Sequence, residues 1–486
     1  MTGGCVHPLG PGFHFTARET EISAVPGASS QIHVRVVDHL ENAGDRTLHS
    51  LEVRLPESPN FGTQNLHVRV EGKEILPEPS STVDRRMMSE SFVPAWEQNQ
   101  SREIVAEWDL FPSTEARGSI TVSERGFYVA DETALPLWQA PAGVFSVSES
   151  DPKKEFLTVF APPDFRVIAP GKRVKSHANS AGLLQPRKFR MRPDRDFLPF
   201  VVAGLYRETS FREHHGTVNF LTFEPLDRAP AQTAAARLSS SWAALVDFFG
   251  PASRGGGNTI HIVEAPNDLP SEFNAGDGIG ADGHEADLSP GGASFPRGAL
   301  LNSNAFARGV AEESVLETAE YELTRTWFGW RTRPTPEAQV LMGRGVGLFG
   351  LVLAAEARGP EERRRMISSL LTRYDAQSAA SNTRLMEPPF GYTRAERISA
   401  GYRAALFLIE LEDLCGRASM RTAFRHIIFA RTGAETGYEE LRAAVEATSH
   451  RDLAELFRQW LIRPGIPAEF RARYGIRTIA AGRDGF

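Results

Sequence analysis

Three positions in this sequence have the spacing of metal ligands, although their residue types do not suit that role. Tyr321 and Arg325 are four residues apart, so a helix would place both on one face. Two histidines at that spacing can bind one zinc ion, with a carboxylate from another helix as third ligand. Arg344 follows Arg325 by nineteen residues. Glu322 could accept a proton from water, but only if a metal activated that water.

The residues around these positions resemble those of the aminopeptidase N family of gluzincin zinc metallopeptidases. Residues 321–329 read Y-E-L-T-R-T-W-F-G, close to the family's H-E-x-x-H-x-W-F-G with both histidines replaced. Residues 341–347 stand where the family has W-L-x-E-G-x-A, and the count of nineteen puts Arg344 at its glutamate ligand. Tyr402 lies in a segment similar to the family's Y-x-K-G, which carries a transition-state tyrosine. The lysine and glycine of that motif are missing here.

The resemblance covers about residues 150–470, and residues 20–150 are compatible with it. Residues 453–461 and 465–467 resemble the F-x-x-W-L and G-x-P that end the family's peptidase domain. The family's G-x-M-E-N substrate loop has no counterpart. Residues 273–298 take its place, which argues against recognition of a free peptide amino terminus.

The resemblance implies a mechanism in which zinc lowers the pKa of its bound water and the glutamate removes a proton from that water. Here Tyr321 is a poor ligand at neutral pH, while Arg325 and Arg344 are cations without a lone pair. We therefore predict that no zinc or other cofactor binds, and that Glu322 and Tyr402 are vestiges of the general base and the transition-state tyrosine. Glu322 should form an ion pair with Arg325 or Arg344 in place of the metal.

Other candidate sites are weaker. His214 and His215 are adjacent and would point to opposite faces of a strand, which disfavours shared metal binding. The sequence has no G-x-S-x-G elbow, and Cys5 and Cys415 lie in unsuitable surroundings for a nucleophile. One Gly-rich loop could bind calcium, although its spacing fits no twelve-residue calcium loop. The acidic and histidine side chains of that loop are Asp277, Asp282, His284, Glu285 and Asp287.

The elements expected around these residues give an α+β multidomain chain. Short runs of alternating apolar and polar residues predict an N-terminal antiparallel β domain over residues 20–228. Apolar spacings of three and four then predict a helix over 232–249 that stops at Gly250. A thermolysin-like, mainly helical metallopeptidase domain should fill residues 229–470, with tails over 1–19 and 471–486.

The composition of the chain argues against some classes of binding partner. The 486 residues carry a net charge of −7, and the longest basic run is Arg363 to Arg365, so a nucleic-acid partner is not expected. No run of 18 apolar residues predicts a membrane span, and no signal peptide is evident, so we expect a soluble, cytoplasmic protein. Gly3, Gly4 and Cys5 resemble the end of a lipoprotein cleavage box and leave the bacterial cell envelope as an alternative.

The sequence thus predicts a non-catalytic homologue of a zinc aminopeptidase that binds a peptide or protein partner through a remnant groove. Two alternatives remain open. One is an active metallopeptidase or other hydrolase that uses an unrecognised metal site or metal-free chemistry at Glu322 and Tyr402. The other is a scaffold in a larger assembly that uses the fold only as an interaction surface. Neither the oligomeric state nor the partner follows from the sequence.

Overall fold

The structure, a computed structural model, has two compact units. One comprises Met1–Arg207 with Pro266–Pro270, and the other comprises Glu208–Ala265 with Ser271–Phe486. Not every residue is described. The described residues are 14–25, 31–42, 47–54, 61–75, 78–79, 87–112, 120–129, 137–139, 154–175, 183–191, 200–252, 258–266, 292–377, 384–385, 394–430 and 435–475.

The first unit is built from three sheets. Its strands are β1 (His14–Ser23), β2 (Ile32–Glu41), β3 (Leu48–Arg54), β4 (Phe61–Val70), β5 (Lys73–Ile75), β6 (Glu78–Pro79), β7 (Met87–Trp96), β8 (Ser101–Pro112), β9 (Ile120–Val122), β10 (Gly126–Val129), β11 (Leu137–Gln139), β12 (Lys154–Ala161), β13 (Arg166–Ile168), β14 (Lys172–Arg173), β15 (Gln185–Met191) and β16 (Val201–Gly204). The strand orders are β14-β15-β12-β1-β2-β8-β4-β5, β13-β16-β10-β9 and β11-β3-β7-β6.

Apolar residues that alternate with polar ones along the strands form the core of this unit. In β2, Ile32, Val34 and Val36 are buried between more exposed neighbours, as the period of two requires. They share one hydrophobic cluster with residues of β9, β10 and β16, so the eight-stranded sheet packs on a four-stranded one. The pairing is not wholly antiparallel, because β1 and β12 run parallel. Alternation does not encode strand direction, so this pair could not be predicted.

The second unit combines a five-stranded sheet, in the order β17-β18-β19-β21-β20, with ten helices among the described residues. Its strands are β17 (Arg207–Glu213), β18 (Gly216–Thr222), β19 (Thr259–Glu264), β20 (Gly292–Phe295), β21 (Gly298–Leu301), β22 (Arg333–Pro334) and β23 (Glu435–Thr436). Its helices are α1 (Arg228–Phe249), α2 (Ser303–Arg308), α3 (Glu313–Thr324), α4 (Val346–Ala357), α5 (Pro360–Asp375), α6 (Arg394–Cys415), α7 (Arg417–Ala430), α8 (Tyr438–Ser449), α9 (Ala454–Ile462) and α10 (Ala468–Tyr474).

Several predicted boundaries differ from the structure. Helix α1 ends before Gly250, as predicted, and Asp227 caps its start by accepting a hydrogen bond from the backbone of Ala229. Strands β17 and β18 lie in residues assigned to the β domain by sequence, yet β18 pairs with β19 in the second unit. Strand β1 and helix α10 reach into the expected tails. Strands β20 and β21 form a hairpin that begins within residues 273–298, the segment expected to take the place of the substrate loop.

A π-helical segment, Gln339–Gly345, leads directly into α4. Together they form the one stretch of the described residues that is long and apolar enough to cross a membrane, Gln339–Ala357. Within the protein, 78% of that stretch is buried. This burial is typical of a core helix of the second unit.

Candidate functional site

Glu322 lies near the end of α3 with its side chain only 1% exposed. Its Oε2 atom is 3.4 Å from Nη1 of Arg325, one helical turn further on, so the predicted ion pair forms with Arg325. Strand β20 covers the other side of the carboxylate. A Cβ atom added to Gly292 would lie 3.3 Å from Oε1 of Glu322, which places the backbone of this strand close to the carboxylate.

Tyr321 is 2% exposed, and its ring packs against α4. A Cβ atom added to Gly347 would lie 2.5 Å from Cε2 of that ring, which is too close for a real contact. In the family's W-L-x-E-G-x-A segment, residue 347 stands at the alanine. The ring of Tyr321 therefore occupies space that the lack of a side chain at Gly347 provides.

Arg344 lies on the π-helical segment and is partly buried. A Cβ atom added to Gly401 would lie 3.3 Å from Cβ and 3.5 Å from Cδ of Arg344, so this side chain packs against α6 at Gly401. Helix α6 also approaches the segment closely at Gly345, where an added Cβ atom would be 2.5 Å from Cβ of Ala404. Arg344 thus contacts the residue that precedes Tyr402.

Tyr402 is 3% exposed, and its hydroxyl is hydrogen-bonded to Arg373 of α5. The second partner of Arg373 is Glu317 of α3, at 2.8 Å. Burial raises the pKa of Tyr402 above its usual value, while Arg373 and Arg344 oppose that rise. The phenol therefore stays protonated at neutral pH and can donate a hydrogen bond.

Trp327 and Phe328, which follow Arg325 closely in the chain, are core residues. They are 0% and 1% exposed. The indole of Trp327 donates to the carbonyl of Gly250 at 3.0 Å, and its ring lies 5.0 Å from that of Trp242. These contacts fix the end of α3 against the end of α1.

A buried carboxylate that sequence reasoning missed lies next to the ligand frame. Glu320 is fully buried and accepts hydrogen bonds from Nε of Arg237 at 2.9 Å, from Arg358 at 3.1 Å and from the hydroxyl of Ser241 at 2.7 Å. Arg237 also pairs with Glu313. The only sequence signal was a charged residue on the apolar face of α3, and its partners on α1 and α4 are distant in the chain.

The side chains at the three predicted ligand positions do not fit zinc. They are one phenol and two guanidinium groups, and the guanidinium groups carry no lone pair and repel a dication. Across the described parts of the chain, no three His, Cys, Asp or Glu side chains are grouped closely enough to hold a metal ion.

The histidine pair has a different geometry from the one predicted. His214 and His215 form the turn between β17 and β18, and their ring centroids are 4.7 Å apart. The expectation that they point to opposite faces was wrong, because the alternation of a strand does not extend into a hairpin turn. The acidic loop 277–287 and the motif at residues 3–5 lie outside the described residues.

No protein-family profile matches the chain, and neither does any curated protein. Solved structures do match it. The M1 zinc metallopeptidase from Deinococcus radiodurans is 13% identical and has a TM-score of 0.65, over 95% of this chain and 96% of that one. A mutant of it bound to a Tyr-Ser-Ala substrate has a TM-score of 0.64 at 13% identity, over 94% and 95% of the two chains.

A two-domain M1 zinc metallopeptidase mutant bound to L-arginine has a TM-score of 0.63 at 13% identity, over 94% of this chain and 95% of that one. At these identities the likeness concerns the fold. The chain therefore has the M1 zinc metallopeptidase fold, with an N-terminal β domain of several sheets followed by a mainly helical region.

Proposed function

We propose that this protein is a non-catalytic homologue of the M1 zinc metallopeptidases that binds a peptide or protein partner. The observation that carries the proposal is the ion pair between Glu322 and Arg325. A general base for water attack needs both an activated water and a free carboxylate. Here the carboxylate is buried and held by a guanidinium group that stands at one of the ligand positions.

The other ligand positions support the same proposal. The ring of Tyr321 is packed against α4, and Arg344 packs against α6 at Gly401. The hydroxyl of Tyr402 is engaged by Arg373. A binding role needs only the shape and polarity of a groove, so it survives these substitutions.

Two measurements on the purified full chain test the proposal. Elemental analysis after dialysis should find zinc well below one ion per chain. A panel of fluorogenic aminoacyl amides should show no turnover above that of a Glu322→Gln variant. Stoichiometric zinc together with chelator-sensitive turnover would overturn the proposal. Chelator-resistant turnover that Glu322→Gln abolishes would favour the metal-free hydrolase instead.

The assignment of Tyr321, Arg325 and Arg344 to the three ligand positions can be tested separately. A triple variant with Tyr321→His, Arg325→His and Arg344→Glu should regain stoichiometric zinc, because these residues supply two imidazoles and a carboxylate at the family's spacing. Circular dichroism would check that the variant folds. A folded triple variant without zinc affinity would contradict this assignment of the ligand positions.

The scaffold alternative makes a different prediction. If the fold served only as an interaction surface, substitutions at Arg325 and Arg344 would leave partner capture unchanged. We expect the opposite for a partner that binds at the former metal site.

A further inference from the structure

We propose that the former metal site recognises a carboxylate group of a peptide, either a carboxyl terminus or an acidic side chain. This inference rests on the proposed function and names the class of ligand. It depends on how two ion pairs are oriented, on the side chains next to Tyr402, and on the strand that covers Glu322.

Two of the ion pairs on α3, those of Glu322 and Glu317, place the carboxylate inward and the guanidinium toward solvent. Glu322 is 1% exposed and its partner Arg325 is 29% exposed. Glu317 is 13% exposed and its partner Arg373 is 36% exposed. A ligand that approaches from solvent therefore meets the positive member of each pair first.

Hydrogen-bonding groups suited to an anion lie close to one another beside α6. Arg344 packs against Gly401 of α6 and is near enough to Tyr402 for its charge to oppose the rise in the pKa of that phenol, and Arg373 is hydrogen-bonded to the hydroxyl of Tyr402. A guanidinium group has five N–H donors in a planar fork, so it can keep one carboxylate partner and bind another. The protonated phenol adds an O–H group that can turn toward an anion.

The neighbouring strand, β20, offers no comparable set of groups that could bind an amine. In the family, the G-x-M-E-N loop supplies a glutamate beside the site. Strand β20, whose backbone covers Glu322, consists of Gly292, Ala293, Ser294 and Phe295 and brings no carboxylate. This described strand thus presents no negative group to a positive amino terminus.

The test compares acidic and neutral peptides by fluorescence polarisation with the full-length protein. All peptides carry a fluorophore on a blocked amino terminus. One pair has the same sequence with a free carboxyl terminus or a terminal amide, and a second, amidated pair differs by Glu against Gln at one position. The first pair reports recognition of the carboxyl terminus, and the second reports recognition of the side chain.

We expect the acidic member of at least one pair to bind about ten-fold or more tightly than its neutral twin, as charge-assisted hydrogen bonds predict. The preference should weaken as salt is raised. Arg344→Gln should bring the ratio close to one, and Arg344→Lys should retain part of it. The matched control is Arg364→Gln, which removes the same charge from a side chain 73% exposed on α5 and should leave the ratio unchanged.

Equal affinity for both members of each pair would overturn the inference but leave peptide binding intact. A preference that survives Arg344→Gln in a folded protein would also overturn it. Chelator-sensitive cleavage of these peptides would instead refute the proposed non-catalytic function, so the two failures can be told apart.

Discussion

Replacing Gly347 with alanine should destabilise the protein, although alanine is the better helix former. The added Cβ atom would lie 2.5 Å from Cε2 and 2.8 Å from Cδ2 of Tyr321. Overpacking of this kind costs about 1–3 kcal/mol. Alanine returns about 1 kcal/mol of helix propensity. The expected net loss is about 1 kcal/mol, or a fall of about 2–4 °C in melting temperature for a unit of this size.

Thermal and urea unfolding of the full chain would measure this loss. The matched control is Gly343→Ala on the preceding π-helical segment, where an added Cβ atom has nothing within 4 Å and should cause no loss. Combining Gly347→Ala with Tyr321→His should relieve the clash, so the double variant should be more stable than additivity predicts by about 1 kcal/mol or more. If Gly347→Ala stabilised the protein, or if the two changes were additive, the packing argument would be wrong.

Two further perturbations concern buried groups of the second unit. Glu320→Gln should lower the free energy of unfolding, measured in denaturant, by about 3–5 kcal/mol, because it leaves two arginines around a neutral amide. The control Glu361→Gln, at a side chain 73% exposed, should change that free energy by no more than about 0.5 kcal/mol. Burial and Arg297 lower the pKa of His261 to about 4 from 6.5. The folded state therefore binds fewer protons, and stability should fall by about 3 kcal/mol as the pH drops from above 6.5 to below 4. His261→Asn should lose less stability than the parent across this range, and equal losses would exclude His261 as a cause.

The placement of Tyr321, Glu322 and Arg325 at the end of one helix was predictable because it depends on local, periodic features of the sequence. A four-residue spacing on a helix fixes which side chains share a face, and Trp327 and Phe328 gave the frame its family character. An ion pair of Glu322 with Arg325 or Arg344 followed from charge balance, since a buried carboxylate requires a cation nearby. The choice of Arg325 came only from the structure. The helix that ends before Gly250 followed from apolar spacing and a glycine stop.

The rest depends on contacts between distant parts of the chain. Nothing in the strand pattern shows that β18 pairs with β19, because alternation identifies a strand but not its neighbour. The partners of Glu320 come from α1 and α4, and a sequence without an alignment does not connect them. The contact between Tyr321 and Gly347 is likewise a matter of shape, and only the packing of two helices reveals it.

That contact also bears on the order in which the chain could have changed. The resemblance places histidine at position 321 and alanine at position 347. A change to tyrosine at position 321 would have clashed with the methyl group of an alanine at position 347. A change to glycine at position 347 before it would have left only a small void. If the chain descends from a zinc-binding relative, as we propose, the glycine substitution is therefore the easier first step.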